Sequence, residues 1–124
     1  MNPNEDSVLI VDDDFLTQEL WAIAAEDVKL KVCGKAATAD HAVELALRHR
    51  PAVVLMDMRL QGEKDGVDAA LAIHEVMDTK MIFITGSKEP KTVARIQLDH
   101  PDAVLFKPIS DSQLHSAVEA ALRG

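Results

Sequence analysis

Acidic, hydroxyl and basic residues follow four short apolar segments of this 124-residue sequence. Asp12 and Asp13 follow the first segment, and Asp57, Thr85 and Lys107 follow three later ones. Carboxylates brought close together repel one another unless a cation intervenes, and open sets of oxygen ligands suit Mg²⁺. A carboxylate beside Mg²⁺ can attack phosphorus, with a hydroxyl and an ammonium group stabilising the transferred charge. If the fold brings these segments together, their residues predict a phosphoryl-transfer site.

Five short apolar segments predict the strands that would position these residues. They are too short for helices and contain many β-branched residues. They also lack alternation, which is typical of parallel strands covered on both faces. The five segments are residues 8–11, 31–33, 52–56, 81–84 and 103–106.

Amphipathic stretches between these segments predict five helices. In the first stretch, residues 15–25, Leu16, Leu20 and Ile23 recur at helical spacing and indicate its apolar side. Asp40 is expected to cap the second helix. The other stretches are residues 65–77, residues 89–98 and a segment opened by residues 110–113.

Strand–helix alternation predicts an α/β fold with a central parallel sheet and helices on both faces. Ligands of such sheets bind at the carboxyl ends of the strands. Taken singly, Asp14 is expected to be a helix cap, Thr85 with Gly86 a turn, and Lys107 a solvated charge. Their occurrence at successive strand ends favours a site instead.

The composition limits the possible partners. Lys and Arg total 13 against 21 Asp and Glu, so the net charge is −8, which argues against direct binding of nucleic acid or an anionic membrane.

Residues 1–6 lack the features of a signal peptide, and no apolar run has the length of a membrane span. Cys33 has no second cysteine with which to form an intrachain disulfide. We expect one cytoplasmic domain over residues 1–124.

Four segments of the sequence resemble the receiver domain of bacterial two-component response regulators. They are residues 8–14, 53–57, 83–86 and 106–108, and the resemblance covers residues 7–122. It implies a flavodoxin-like, doubly wound (βα)5 fold with strand order 2-1-3-4-5. It also implies a signalling receiver rather than an enzyme, with a histidine kinase or phosphotransfer protein as donor and a downstream protein as target.

The resemblance further implies a role for each residue at the strand ends. Asp57 matches the phospho-acceptor. Asp13 matches the direct Mg²⁺ ligand, Asp12 the acidic residue that holds the metal through water, and the Arg59 backbone carbonyl the third protein ligand. A face formed by the fourth helix, fifth strand and fifth helix would carry the signal.

Thr85 matches the hydroxyl that turns toward the phosphoryl group, and Lys107 the lysine that pairs with the acceptor. Two positions that tune phosphoryl lifetime in this family are Arg59 and Ser87 here. Arg59 is expected either to screen the phosphoryl group or to pair with Glu63.

Two departures from the family pattern concern switching and the loop after the acceptor. Val104 occupies the usual aromatic switch position. Phe106 lies on the same strand face and is a candidate to substitute for that aromatic, although we expect it to be a packed core residue. The residues 83–86 resemble the Phe-Ala-Thr-Gly type of single-domain receiver, which lacks that aromatic. Gln61 replaces a common proline, so we expect a more flexible loop.

Two alternative functions remain open at this stage. A haloacid-dehalogenase-like phosphatase would use Asp12 as its nucleophile, although Leu16 and the lack of a late Asp pair depart from that family. A binding module that acts without phosphorylation would keep the acidic pocket only as structure, and Val104 is compatible with it.

Overall fold

The computed structural model describes residues 7–124; the predicted absence of a signal peptide in residues 1–6 falls outside the described residues. The strands are β1 Ser7–Val11, β2 Lys31–Ala36, β3 Val53–Asp57, β4 Lys80–Thr85 and β5 Ala103–Phe106. The helices are α1 Phe15–Asp27, α2 Ala39–His49, α3 Gly66–Val76, α4 Pro90–Gln97 and α5 Asp111–Arg123.

All neighbouring strands are parallel, in the order β2-β1-β3-β4-β5. This confirms the flavodoxin-like (βα)5 fold. The central strands are buried on both faces, which explains their lack of alternation. In β1, Val8 and Ile10 pack in the cluster with α1 and α5, whereas Leu9 and Val11 pack in the cluster with α2, α3 and α4.

The strand register places the chemically distinctive residues at one edge of the sheet. Asp57 lies beside Ile84, and Thr85 lies beside Phe106, at the carboxyl ends of their strands. The residue after β5 is Lys107, whose backbone N–H donates to the Thr85 carbonyl at 2.8 Å. The short connections that follow the strands therefore start from a common edge.

The orientation of α1 differs from the sequence-based prediction. Leu16, Leu20 and Ile23 are exposed, with Leu20 at 57%, so the prediction that they form the packed side is wrong. Gln18 and Trp21 are buried instead. The Gln18 amide donates to the Asp12 carbonyl at 2.7 Å and the Ala36 carbonyl at 3.2 Å. This bonding satisfies buried backbone oxygens and explains why the polar side chain of Gln18 faces inward.

The helix caps agree with the prediction at Asp14 and differ at Asp40. Asp14 caps α1 by accepting from the Thr17 N–H at 3.1 Å. Thr38, rather than Asp40, caps α2, because its extended backbone lets its hydroxyl accept from the His41 N–H. Asp40 lies within the first turn, where a negative charge is favourable.

Within residues 7–124, every helix is too short or too polar to span a lipid bilayer.

Candidate functional site

Three carboxylates converge at the carboxyl edge of the sheet. Asp12, Asp13 and Asp57 each place an oxygen within 4.8 Å of the other two. Asp12 and Asp57 are buried, whereas Asp13 is exposed. Hard oxygen donors in this number and spacing fit a divalent cation such as Mg²⁺, which keeps part of its water shell. The positions of these residues at the ends of the strands predict this cluster from the sequence.

Lys107 supplies positive charge to the same cluster. Its ammonium Nζ lies 3.2 Å from Asp12 Oδ2 and 3.4 Å from Asp57 Oδ2. Burial alone would lower the pKa of Lys107, but the charges of Asp57 and Asp12 outweigh it and raise that pKa. Lys107 is therefore held in its charged form between two carboxylates.

Burial and repulsion raise the pKa of Asp57 to about 6. Burial of the carboxyl is the largest cause, and the charge of Asp12 adds to it, while Lys107 acts in the opposite direction. The ammonium of Lys107 thus does not outweigh the combined effect of burial and the charge of Asp12 on this pKa. A divalent cation would stabilise the ionised form of Asp57 that a nucleophile requires.

Thr85 connects the site to the start of α4. Its Oγ1 accepts a hydrogen bond from the Ser87 N–H at 3.2 Å. The Ser87 hydroxyl in turn donates to Thr92 Oγ1 at 3.3 Å and accepts from the Glu89 N–H at 3.2 Å. A rotation of the Thr85 side chain would therefore disturb the first turn of α4.

The site opens into a cavity of about 780 Å³. Asp12 is fully buried, with an exposure of 0%, and does not line the cavity. The Arg59 side chain is exposed, and in the described part of the chain it forms no ion pair with Glu63, so that predicted pairing is wrong. The predicted site residues that line the cavity are Asp13, Asp57, Arg59, Thr85, Ser87 and Lys107.

Val104 and Phe106 lie outside the cavity lining. Val104 packs against the core cluster on the side of α2, α3 and α4. Phe106 is partly exposed and belongs to neither core cluster, so the prediction of a packed core residue is wrong. The ammonium of Lys88 lies 5.7 Å from the centroid of its ring. An ammonium over the ring lets Phe106 remain partly exposed at the edge strand.

The loop between β3 and α3 forms backbone hydrogen bonds at its middle and between its two ends. Gln61 N–H donates to the Ala37 carbonyl at 2.9 Å, and Gly66 N–H donates to the Met58 carbonyl at 2.8 Å. These bonds attach the loop to the β2–α2 connection and join its two ends, and the flexibility expected from the missing proline stays a prediction.

Arg95 of α4 clamps the start of α3. Its guanidinium donates to Asp65 from Nε at 2.8 Å and from Nη2 at 2.9 Å, and to Asp68 at 3.1 Å. Asp65 is also the N-cap of α3. Arg95 is therefore engaged within the molecule.

Gly66 lies too close to the end of β3 to carry a side chain. A Cβ at this position would lie 2.0 Å from the Asp57 carbonyl oxygen. That oxygen belongs to the backbone, so it can move only if the strand end moves. The glycine therefore allows the first turn of α3 to pack directly on Asp57.

Residues 8–119 match the family described as the response regulator receiver domain. The chain belongs to this family. Receiver domains are signalling domains of two-component systems, and the match includes the strand ends that form the acidic cluster.

Relatives of this receiver domain include longer proteins. The transcriptional regulatory protein PdtaR of Mycobacterium tuberculosis is 32% identical over 115 residues, which cover 93% of this chain and 56% of PdtaR. LiaR of Bacillus subtilis, also named a transcriptional regulatory protein, is 29% identical, with 56% of its length covered. The chain thus spans about half the length of these relatives.

Solved structures share the receiver fold. The signal receiver domain of a modulated diguanylate cyclase from Desulfovibrio desulfuricans is 32% identical, with a TM-score of 0.88 over 94% of this chain and 93% of that one. A CheY-like receiver from Methanospirillum hungatei has the same TM-score at 23% identity, with 95% of this chain and 94% of that one covered. The second likeness concerns the fold alone.

Gly66→Ala should displace the end of β3 and destabilise this receiver domain by about 1–3 kcal/mol, as overpacking does. Denaturant unfolding and the backbone amide shift of Asp57 measure the two effects. Gly86→Ala is the matched control, because a Cβ there meets nothing within 4 Å. Equal small effects of the two substitutions would contradict the close approach.

Asp57→Asn should stabilise the metal-free receiver domain at high pH. Because the native pKa of Asp57 is raised to about 6, the native state binds more protons than the unfolded state as pH rises from about 4 to about 6, and wild-type stability falls across this window. The penalty is fully present above that window. Asn removes it, with a gain on the order of 2 kcal/mol near pH 8 and little gain near pH 4.

The measurement is urea unfolding in EDTA at both pH values. Asp78→Asn, an exposed position between α3 and β4, serves as the control and should show no such pH dependence. A gain of equal size at both pH values would show that Asp57 carries no charge penalty in the native state.

Proposed function

We propose that this receiver domain takes a phosphoryl group onto Asp57 from a histidine kinase or a phosphotransfer protein. The observation that carries the proposal is a buried carboxylate with Lys107 at 3.4 Å and with Asp12 and Asp13 beside it, in an open cavity. We assign the domain to residues 7–122 and its place of action to the cytoplasm, where a kinase would act as donor.

The proposed chemistry is the attack of an Asp57 oxygen on the phosphorus of a phosphohistidine. The P–N bond breaks, its electron pair leaves with the imidazole, and the imidazole takes up a proton. When bound, Mg²⁺ would offset the carboxylate charge and coordinate a phosphoryl oxygen. The residues we assign to hold it are Asp12, Asp13, Asp57 and the backbone carbonyl of Arg59.

Lys107 and Thr85 would stabilise the transferred group. Lys107 is charged and already contacts Asp57, so its ammonium can shift to a phosphoryl oxygen on the same residue. Thr85 lines the same cavity, and its hydroxyl can donate to another oxygen. Arg59 and Ser87 also line the cavity, and we assign them to tuning the lifetime of the acyl phosphate.

We place the output on the surface formed by α4, β5 and α5, for recognition by a downstream protein. Thr85 supports this placement, because its bond to Ser87 leads to Glu89 and Thr92 at the start of α4. This route does not require an aromatic residue at Val104. The net charge of −8 favours a protein over nucleic acid as the direct partner.

Acetyl phosphate with Mg²⁺ should label wild-type protein with one phosphoryl group, detected by intact mass spectrometry. Peptide mapping should locate the label at Asp57, and Asp57→Asn or EDTA should remove it. A phosphotransfer profile against the kinases of the host, with Asp57→Ala as control, would then identify the donor.

Other results of this experiment would favour the alternatives. Label on Asp12 would support a haloacid-dehalogenase-like phosphatase. No label from acetyl phosphate or from any kinase, together with partner binding that Asp57→Asn leaves unchanged, would support a module that acts without phosphorylation.

The exposed apolar side of α1 is where we place the phosphoryl donor. It consists of Phe15, Leu16, Leu20 and Ile23, with exposures from 57% to 73%. This row begins two residues after Asp13, which lines the cavity. A donor that delivers its phosphohistidine into the cavity must cover the surface beside it, and burial of this row would stabilise the complex.

Leu20→Glu should reduce phosphotransfer from the donor protein about tenfold or more, because a buried Leu contributes roughly 1.5–3 kcal/mol. Labelling by acetyl phosphate should stay unchanged, since the small donor needs no docking. Val76→Glu, on α3 and 52% exposed, is the control. Equal losses from Leu20→Glu and Val76→Glu would place the donor elsewhere.

A further inference from the structure

Trp21 combines a buried position with a contact to the candidate site. Its side chain is 6% exposed and belongs to the core cluster that α1 and α5 form on the sheet. The Lys107 ammonium lies over its ring, 5.5 Å from the centroid. The indole therefore contacts both the core and a charged group of the candidate site.

The other partners of Lys107 change charge during the proposed reaction. Both salt bridges of the ammonium go to carboxylates, those of Asp12 and Asp57. A bound cation would share those carboxylates, and phosphorylation would turn Asp57 into an acyl phosphate. The face of an indole attracts a cation through its quadrupole, and that attraction does not depend on the ionisation of either carboxylate.

The buried side of α1 supports the site at two points. Gln18 lies one turn before Trp21 and donates to the Asp12 carbonyl at 2.7 Å. Trp21 then contacts Lys107, at the opposite end of the Asp12–Lys107 ion pair. The buried side of α1 thus holds the backbone of Asp12 and contacts the side chain of Lys107.

The second ammonium–ring contact in the described residues offers a comparison. Lys88 lies 5.7 Å from the centroid of the Phe106 ring, but Lys88 is exposed and Phe106 is partly exposed. Cation–π attraction is stronger when the pair is shielded from water, and Trp is the best ring for it. The Lys107–Trp21 contact is the better shielded of the two.

We propose that Trp21 is a positioning residue for Lys107, and that its indole face keeps the ammonium at the phosphorylation site while the charge of the carboxylates changes. This inference rests on the proposed function for the role of Lys107. The contact itself can be tested without phosphorylation.

The first test uses the fluorescence of unphosphorylated protein. Trp21 is the single tryptophan of the sequence, so its emission reports on this ring alone. Lys107→Met should shift the emission or change its intensity, and Lys107→Arg, which keeps the charge, should stay close to wild type. Lys31→Met, at the exposed start of β2, is the control. Identical spectra for Lys107→Met and wild type would overturn the contact.

The second test measures the rate of Asp57 labelling by acetyl phosphate. Trp21→Leu should slow it by roughly three- to thirtyfold, the range expected from loss of a shielded cation–π contact, and Trp21→Phe should recover most of the rate. In a Lys107→Met background, Trp21→Leu should have little further effect, because the group that it positions is gone.

The double substitution separates positioning from a purely structural role. If Trp21→Leu slows labelling equally with and without Lys107, the residue acts through packing and the proposal is wrong. If Trp21→Leu does not fold, the fluorescence comparison still decides the contact. If wild-type protein takes no label at all, the proposed function fails, and the fluorescence result stands independently.

Discussion

Repulsion among three carboxylates at one edge of the sheet governs the arrangement around them. Asp12 and Asp57 are buried there, and Asp13 lies within 4.8 Å of both through its oxygens. Lys107 offsets part of this charge, but burial and the charge of Asp12 together still raise the pKa of Asp57. The folded chain thus maintains an excess of negative charge at this edge, which a divalent cation or a proton would neutralise. This excess favours the binding of a positively charged ligand.

The supporting elements keep this strained cluster in place by close packing. Gly66 lets the first turn of α3 rest on the Asp57 carbonyl, where a Cβ would lie at 2.0 Å. On the other side of the sheet, Gln18 bonds the Asp12 carbonyl. The two buried carboxylates are therefore held by backbone contacts, which persist whatever the ionisation of the side chains.

The strand ends could be predicted from sequence because parallel strands are continuous apolar segments with a common carboxyl edge. Residues 12, 57, 85 and 107 follow directly from that rule. The orientation of α1 could not, because its inward side carries Gln18, and the hydrogen bonds that justify a buried amide involve Ala36, which is 18 residues away. A periodic pattern of Leu16, Leu20 and Ile23 cannot distinguish a packed side from an exposed one.

Contacts between side chains that are far apart in the sequence could not be predicted either. Arg95 and Asp65 are 30 residues apart, and the local pattern around Arg95 indicates only a basic helix. The same holds for Trp21 and Lys107, whose contact depends on how α1 crosses the sheet. Residue type and spacing predict which residues belong to the site, whereas the contacts between those residues depend on tertiary packing.

The guanidinium of Arg95 joins α4 to the cap of α3, and this has a thermodynamic consequence. The cap, Asp65, directly precedes Gly66, which packs on the Asp57 backbone. A displacement of α4 would therefore be transmitted to Asp57 through the start of α3, and a change at Asp57 would be transmitted to α4 in the same way. Free-energy coupling between two sites is reciprocal. If Asp57 is phosphorylated as proposed, a protein that binds α4 would alter the stability of the acyl phosphate by the same factor by which the acyl phosphate alters the affinity of that protein.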